Sequence, residues 1–127
     1  MSAVILIAVG SALGGVARYG TGIFAASQFG AAFPWGTLIV NIVGSFIIGL
    51  ATAATGPDGP WPLQPDYRLF ITVGFCGGFT TFSAFSMQTL DLMQSGQWGA
   101  AALNTVGSVV LCLIAVWAGF AAGAALR

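Results

Sequence analysis

Phenylalanines, hydroxyl side chains and glycines crowd into one short stretch of an otherwise apolar segment, residues 74–86. The stretch reads Gly-Phe-Cys-Gly-Gly-Phe-Thr-Thr-Phe-Ser-Ala-Phe-Ser. Glycine pairs weaken a helix, and the backbone groups that a broken helix frees in lipid must be satisfied by protein or along a polar path. Broken membrane helices often form ion sites. We therefore predict that this segment handles an ion.

Two phenylalanines and two serines in this stretch share helical spacing. Phe82 and Phe85 are three residues apart, as are Ser83 and Ser86, so each pair forms a stripe if the helix resumes after the break. The edge of an aromatic ring carries a partial positive charge. Ring edges, together with hydroxyl and amide donors, can solvate a small anion without a fixed positive charge. Lipid contact or packing is the alternative role of such a stripe.

The pairs Gly77-Gly78 and Thr80-Thr81 are predicted to interrupt the helix. Carbonyl oxygens released from helical bonding are hard ligands suited to an alkali cation such as Na⁺. A simple kink without an ion is the alternative.

Asn41 is a polar side chain in the apolar run Leu-Ile-Val-Asn-Ile-Val. Thr37, Asn41 and Ser45 share one helix face. An amide that faces hydrocarbon is costly, so this face must meet protein or a polar path. Hydrogen bonding between helices and pore lining are both open interpretations.

One cation lies well inside an apolar stretch, namely Arg18. Ionisable residues within membrane helices are functional candidates by default, although Arg18 could also extend to the interface. Asp91 is placed near the end of a span and is expected to reach the interface.

The elements that carry these residues are membrane helices. The 127 residues are 57% hydrophobic and 5% charged, whereas soluble domains carry about 25% charged residues. With three arginines and three aspartates, the chain has no basic surface for nucleic acid. A spanning helix needs about 20 apolar residues. We predict a single all-α membrane domain over residues 1–127, a multi-pass protein of the cell (inner) membrane, with spans at residues 3–27, 35–55, 67–93 and 98–126.

The charge distribution gives almost no preferred orientation. Arg68 and Arg127 are predicted on one side of the membrane and Arg18 towards the other, and orientation follows such biases in short loops. The chain could therefore insert both ways and form an antiparallel, dual-topology homodimer. Four helices alone can hardly enclose a solvated path, which also favours an oligomer. The first apolar stretch lacks a basic leader region and is predicted to be a retained helix.

Catalysis is not indicated, because no nucleophile–base pair, phosphate loop or cluster of metal-ligating side chains is visible. Two alternatives to an ion path remain. A small proton-coupled drug exporter would need a carboxylate within the membrane, for which only Asp91 is available. A non-transporting assembly subunit would need neither phenylalanine of the stripe.

Three motifs, in this order and at this chain length, resemble those of the microbial Fluc (CrcB) fluoride channels. They are Gly-Gly-Val-Ala-Arg-Tyr at residues 14–19, Trp-Gly-Thr-Leu-Ile-Val-Asn at 35–41, and Gly-Phe-Cys-Gly-Gly-Phe-Thr-Thr-Phe-Ser at 74–83. The resemblance implies a dual-topology homodimer of four-helix subunits, with the third helix broken near its middle, that exports fluoride passively along two narrow pathways.

The same resemblance implies roles for particular residues. Phe82 and Phe85 would turn their ring edges to the ion, and Asn41 would orient near them. A structural Na⁺ at the centre of the dimer would be held by the backbone carbonyls of Gly77 and Thr80. The remaining pathway positions would be a polar track, a serine of the fourth span and an arginine at an aqueous vestibule: Thr81 and Ser83, Ser108, and Arg18, respectively.

Four positions depart from the family's usual residues. Ala84 stands where a threonine is common, and Gln88 replaces a glutamate. Asn104 and Cys112 stand where other members often carry an aromatic residue and a serine. These departures bear on conduction rate and gating, whereas the phenylalanine pair and the break motif are intact.

Overall fold

The chain folds as four membrane-spanning segments, of which the third is broken. The computed structural model describes residues 2–127, and its elements are all helical. Four segments are long and apolar enough to cross a bilayer, which confirms the predicted all-α, four-span fold. The elements are α1 (Ser2–Phe29), α2 (Trp35–Thr55), α3 (Pro65–Leu69), a π-helical segment (Phe70–Cys76), α4 (Gly77–Phe79), α5 (Phe82–Gln94) and α6 (Trp98–Ala125).

The third span begins at Pro65, two residues before the predicted start at residue 67. Proline is favoured in the first helical turn, because its missing N–H would have no helical acceptor there. The π-helical segment that follows was not predicted from the sequence. Such wide turns often occur near functional sites.

The break itself falls on the threonine pair and not on the glycine pair. Thr80 has φ −89° and ψ 162°, and Thr81 has φ −156° and ψ 122°, so both are extended. Gly77 and Gly78 remain helical within α4. Threonine is β-branched and adopts extended backbone readily, which places the break one turn later than the glycines.

The glycines instead bring helices into backbone contact. A Cβ added to Gly10 of α1 would lie 2.6 Å from the carbonyl oxygen of Phe70, and one added to Gly78 would meet the backbone of Ser11. A second close pair joins α2 to α6, where Gly49 and Gly119 each face backbone of the other helix. Small residues allow such approach in lipid, where packing drives helix association. The first set of contacts holds the broken span against α1, and the second holds α2 against α6.

We expect Gly14→Ala to destabilise the fold, whereas Gly15→Ala should be tolerated. A Cβ at position 14 would collide with the carbonyl oxygen of Phe75, while one at position 15 has no neighbour within 4 Å among residues 2–127. Overpacking costs roughly 1–3 kcal/mol, whereas glycine to alanine in an open helix position is favourable by about 1 kcal/mol. Thermal unfolding of the two purified variants in detergent measures the difference. Equal melting temperatures would show that α1 does not need this contact.

Candidate functional site

A groove of about 370 Å³ opens beside the break in the third span, bordered by α2 and α6. Its wall is mostly apolar and contains no charged side chain. The residues that line it are Asn41, Gly44, Ser45, Ile48, Thr72, Cys76, Gly77, Thr80, Thr81, Phe82, Phe85, Ser108, Val109 and Cys112. Uncharged polar groups within an apolar wall can strip an ion of water without holding it by a fixed charge.

The side chain of Asn41 satisfies the backbone at the break. Its Nδ2 donates to the carbonyl oxygen of Thr81 at 3.1 Å, and its Oδ1 accepts from the Thr81 N–H at 2.8 Å. Both backbone groups would belong to the helical ladder if the span continued unbroken. Asn41 therefore bonds to the broken third span, and it also lines the groove.

The two ends of the broken helix bring opposite partial charges to the groove. Thr81 is the N-cap of α5, and its Oγ1 accepts from the Ala84 N–H at 3.1 Å. The first amides of α5, at Phe82 and Ser83, have no helical acceptor by position, and the last carbonyls of α4 have no helical donor. A helix N-terminus favours an anion, and a helix C-terminus favours a cation.

Phe82 and Phe85 form one aromatic pair at the start of α5. Their ring centroids are 5.5 Å apart and their planes are tilted by 47°, a separation within the range of favourable aromatic pairs. Both rings line the groove. Phe85 is half-buried, whereas Phe82 is 80% exposed. The Phe82 side of the groove is therefore open in the single chain.

Most of the site residues proposed from the sequence meet at this groove, but two do not. Gly77, Thr80 and Ser108 line the groove, and Ser108 is buried. Ser83 is exposed outside the lining, although its Oγ lies 3.3 Å from Oγ1 of Thr81. Arg18 is half-buried on α1 and does not line the groove either.

The family model described as CrcB-like protein, Camphor Resistance (CrcB), matches residues 5–120. The chain belongs to the CrcB-like family. A relative from Opitutus terrae, named fluoride-specific ion channel FluC, is 51% identical over 127 residues, which are all of this chain and 96% of that protein.

Two further CrcB-like relatives carry the same name. The one from Paramagnetospirillum magneticum is 52% identical over 117 residues, 92% of this chain and 91% of that protein. The one from Methylocella silvestris is 49% identical over 121 residues, 95% of this chain and 92% of that protein. The similarity covers the whole membrane domain, and the chain is a multi-pass membrane protein.

The four positions expected to differ from the family's usual residues have distinct surroundings. Ala84 supplies the N–H that the N-cap binds, and Cys112 lines the groove. Gln88 lines a second cavity of about 350 Å³ beside Asp91 at the far end of α5, and its buried Oε1 has no hydrogen-bond partner within residues 2–127. Asn104 is buried at 2% exposure and contacts α5.

Sequence reasoning missed part of the groove wall, although a spacing signal was available. On α6, Cys112 lines the groove and follows the predicted Ser108 at an interval of four residues, the same spacing that singled out Asn41 and Ser45. Residues at such intervals share a helix face. A second series, Thr72, Cys76 and Thr80, lines the groove from the third span.

Proposed function

We propose that this chain is a fluoride-selective channel that lets F⁻ leave the cell passively and so lowers cytoplasmic fluoride. The observation that carries the proposal is the groove at the broken helix, which joins an aromatic pair, an asparagine and hydroxyl groups in a charge-free wall. The names of the relatives support it. They also agree with the prediction that the chain is not an enzyme.

Fluoride is small and strongly hydrated, so a path must replace its water with a dense set of donors. Asn41 donates one amide hydrogen to the carbonyl oxygen of Thr81. Its second amide hydrogen remains available to the ion, because a primary amide has two. The ring edges of Phe82 and Phe85 and the start of α5 add partial positive charge. Weak interactions of this kind lower the cost of dehydration without trapping the ion.

Passive flow fits this wall better than proton-coupled export. Hydrogen fluoride is a weak acid that crosses membranes and ionises inside the cell, and an inside-negative potential then drives the anion outward. A proton-coupled exporter would need a carboxylate on the path. Asp91 lines the second cavity and not the groove.

We also propose that two copies pair as an antiparallel homodimer in the inner (cell) membrane. The groove is open on the side of Phe82, which is 80% exposed, and Gly77 is exposed with no neighbour near an added Cβ. A second copy would cover both residues and enclose the path. Light scattering in detergent should give about twice the chain mass of 12.9 kDa; a monomer mass would reject the pairing.

We propose that a structural Na⁺ lies at the break, with the backbone carbonyls of Gly77 and Thr80 as its ligands. Both residues line the groove, and the extended backbone at Thr80 ends α4, so carbonyls there lack the next helical donor. Such hard oxygens suit an alkali cation, which would supply fixed positive charge at the dimer centre. Thermal unfolding should occur at lower temperature when N-methylglucamine replaces Na⁺; an unchanged melting temperature would count against the cation.

We expect liposomes that contain the purified protein to release fluoride rapidly, with chloride nearly excluded. The vesicles are loaded with potassium fluoride or potassium chloride, valinomycin is added to carry the compensating charge, and an ion-selective electrode records the efflux. Protein-free vesicles provide the background. Equal release of both anions, or no release in several lipid mixtures, would reject a fluoride-selective channel.

A further inference from the structure

A buried amide joins α6 to the piece of the third span that carries the phenylalanines. Asn104 is 2% exposed and is one of the two largest side chains that are fully buried. An amide is costly to bury in an apolar interior unless its polar atoms are paired. Both polar atoms of Asn104 have partners: Nδ2 donates to Thr89 Oγ1 at 2.9 Å, and Oδ1 lies 3.4 Å from Ser108 Oγ.

The donor and the acceptor of each of these linked hydrogen bonds follow from the chemistry of the groups. The hydroxyl of Thr89 has one hydrogen, which it donates to the carbonyl oxygen of Phe85 at 2.7 Å. Oγ1 of Thr89 must therefore accept from Asn104, which assigns Nδ2 to that side of the amide. The Oδ1 atom then faces Ser108 and accepts from it. The bonds run from Ser108 through Asn104 and Thr89 to the backbone of Phe85.

Only the two ends of this hydrogen-bond chain reach the groove. Phe85 and Ser108 line it, whereas Asn104 and Thr89 lie outside the lining. The bonds near Phe85, at 2.7 and 2.9 Å, are shorter than the 3.4 Å bond at Ser108, and hydrogen bonds weaken as they lengthen. The firmly held end is therefore the backbone of the groove-lining phenylalanine.

We propose that Asn104 is a positioning residue of the ion path, which sets the place of Phe85 by holding Thr89 of α5 against α6. The inference rests on the proposed function, since it concerns the path of the anion. Because the break at Thr80 and Thr81 separates α5 from α4, the helical ladder does not transmit the position of the earlier half of the span to Phe85. A bond from α6 can supply that constraint.

A positioned ring edge matters more for selectivity than for folding. Ion selectivity depends on how closely the path matches the ion's lost water shell, and small displacements of a positioned group have large effects on such sites. If α5 shifts by a fraction of an ångström, the protein can remain folded while fluoride loses its advantage over chloride. Selectivity is therefore the readout that separates positioning from plain packing.

The test replaces Thr89 by valine, which keeps the shape of the side chain and removes the hydroxyl. We expect the fluoride-to-chloride permeability ratio of Thr89→Val in liposomes to fall about tenfold, the effect of losing one buried hydrogen bond. Thr89→Ser, which keeps the hydroxyl, should restore the ratio. The matched control is Thr105→Val on α6, whose exposed hydroxyl likewise bonds the carbonyl four residues earlier, at Ala101, with no partner on another helix.

The outcomes separate this inference from the proposed function. Fluoride release by the wild type and by Thr105→Val upholds the channel, and its absence in the wild type rejects the channel and the inference together. An unchanged ratio in Thr89→Val overturns the inference alone. If Thr89→Val does not fold, Asn104→Leu decides by the same ratio, since leucine retains the bulk of the buried side chain. Failure of both to fold would show a purely structural bond and would also overturn the inference.

Discussion

Fluoride release through the Phe85→Ile variant is expected to be at least about tenfold slower than through the wild type, which corresponds to the loss of one aromatic contact with the ion. Isoleucine keeps the apolar bulk but has no ring edge to present to an anion. Phe85 is half-buried, lines the groove and lies 5.5 Å from the ring of Phe82. The double variant Phe82→Ile, Phe85→Ile should show no fluoride release above protein-free vesicles.

The control for this prediction is Phe24→Ile, because Phe24 is 62% exposed on α1 and does not line the groove. It should release fluoride at the wild-type rate. Size-exclusion profiles and thermal unfolding of all variants confirm that the protein is folded. If the double variant conducts as well as the control, the aromatic pair does not form the path. If the wild type does not conduct either, a non-transporting assembly subunit becomes the better interpretation.

Features set by local chemistry were the ones that the sequence predicted well. Apolar length gave the four spans, and the cluster of glycine, threonine and phenylalanine gave a broken third helix. The position of the break was less predictable, because glycine weakens a helix on its own whereas threonine interrupts it only when the freed backbone finds a partner. Here Asn41 is that partner, 40 residues away. The packing of Gly78 against Ser11 keeps the glycine pair helical.

The site was predictable where a side chain belonged to a motif or an exposed stripe, and less so where it depended on distant contacts. Asn41, Phe82 and Phe85, which the sequence singled out, line one groove. The bond between Thr89 and Asn104 depends on how α5 and α6 pack across their turn, and no spacing in the sequence links these two residues. The place of Arg18 outside the groove likewise follows from the packing of α1 and not from its depth in the span.

The Asn41→Leu variant is expected to lose more free energy of unfolding than any other single-residue variant described above. Leucine has the same branching at Cγ and the same number of side-chain heavy atoms as asparagine, but it leaves the N–H and the carbonyl of Thr81 without their partner. Thr81 is 9% exposed. Each orphaned buried group costs about 1–3 kcal/mol, so the free energy of unfolding should fall by roughly 2–6 kcal/mol. Denaturant unfolding in detergent micelles measures this loss, and fluoride release should disappear with it.

The matched control is Thr37→Val, one turn earlier on the same face of α2, outside the groove lining. Valine keeps the branched shape of threonine, so the unfolding free energy should change by less than about 1 kcal/mol, as for a substitution away from a buried polar network. Equal unfolding of Asn41→Leu and this control would mean that Asn41 does not hold the break open. A stable Asn41→Leu that has lost fluoride release would instead assign Asn41 to the ion alone. Because Asn41 bonds the break and lines the groove, the structure leads us to expect both losses together.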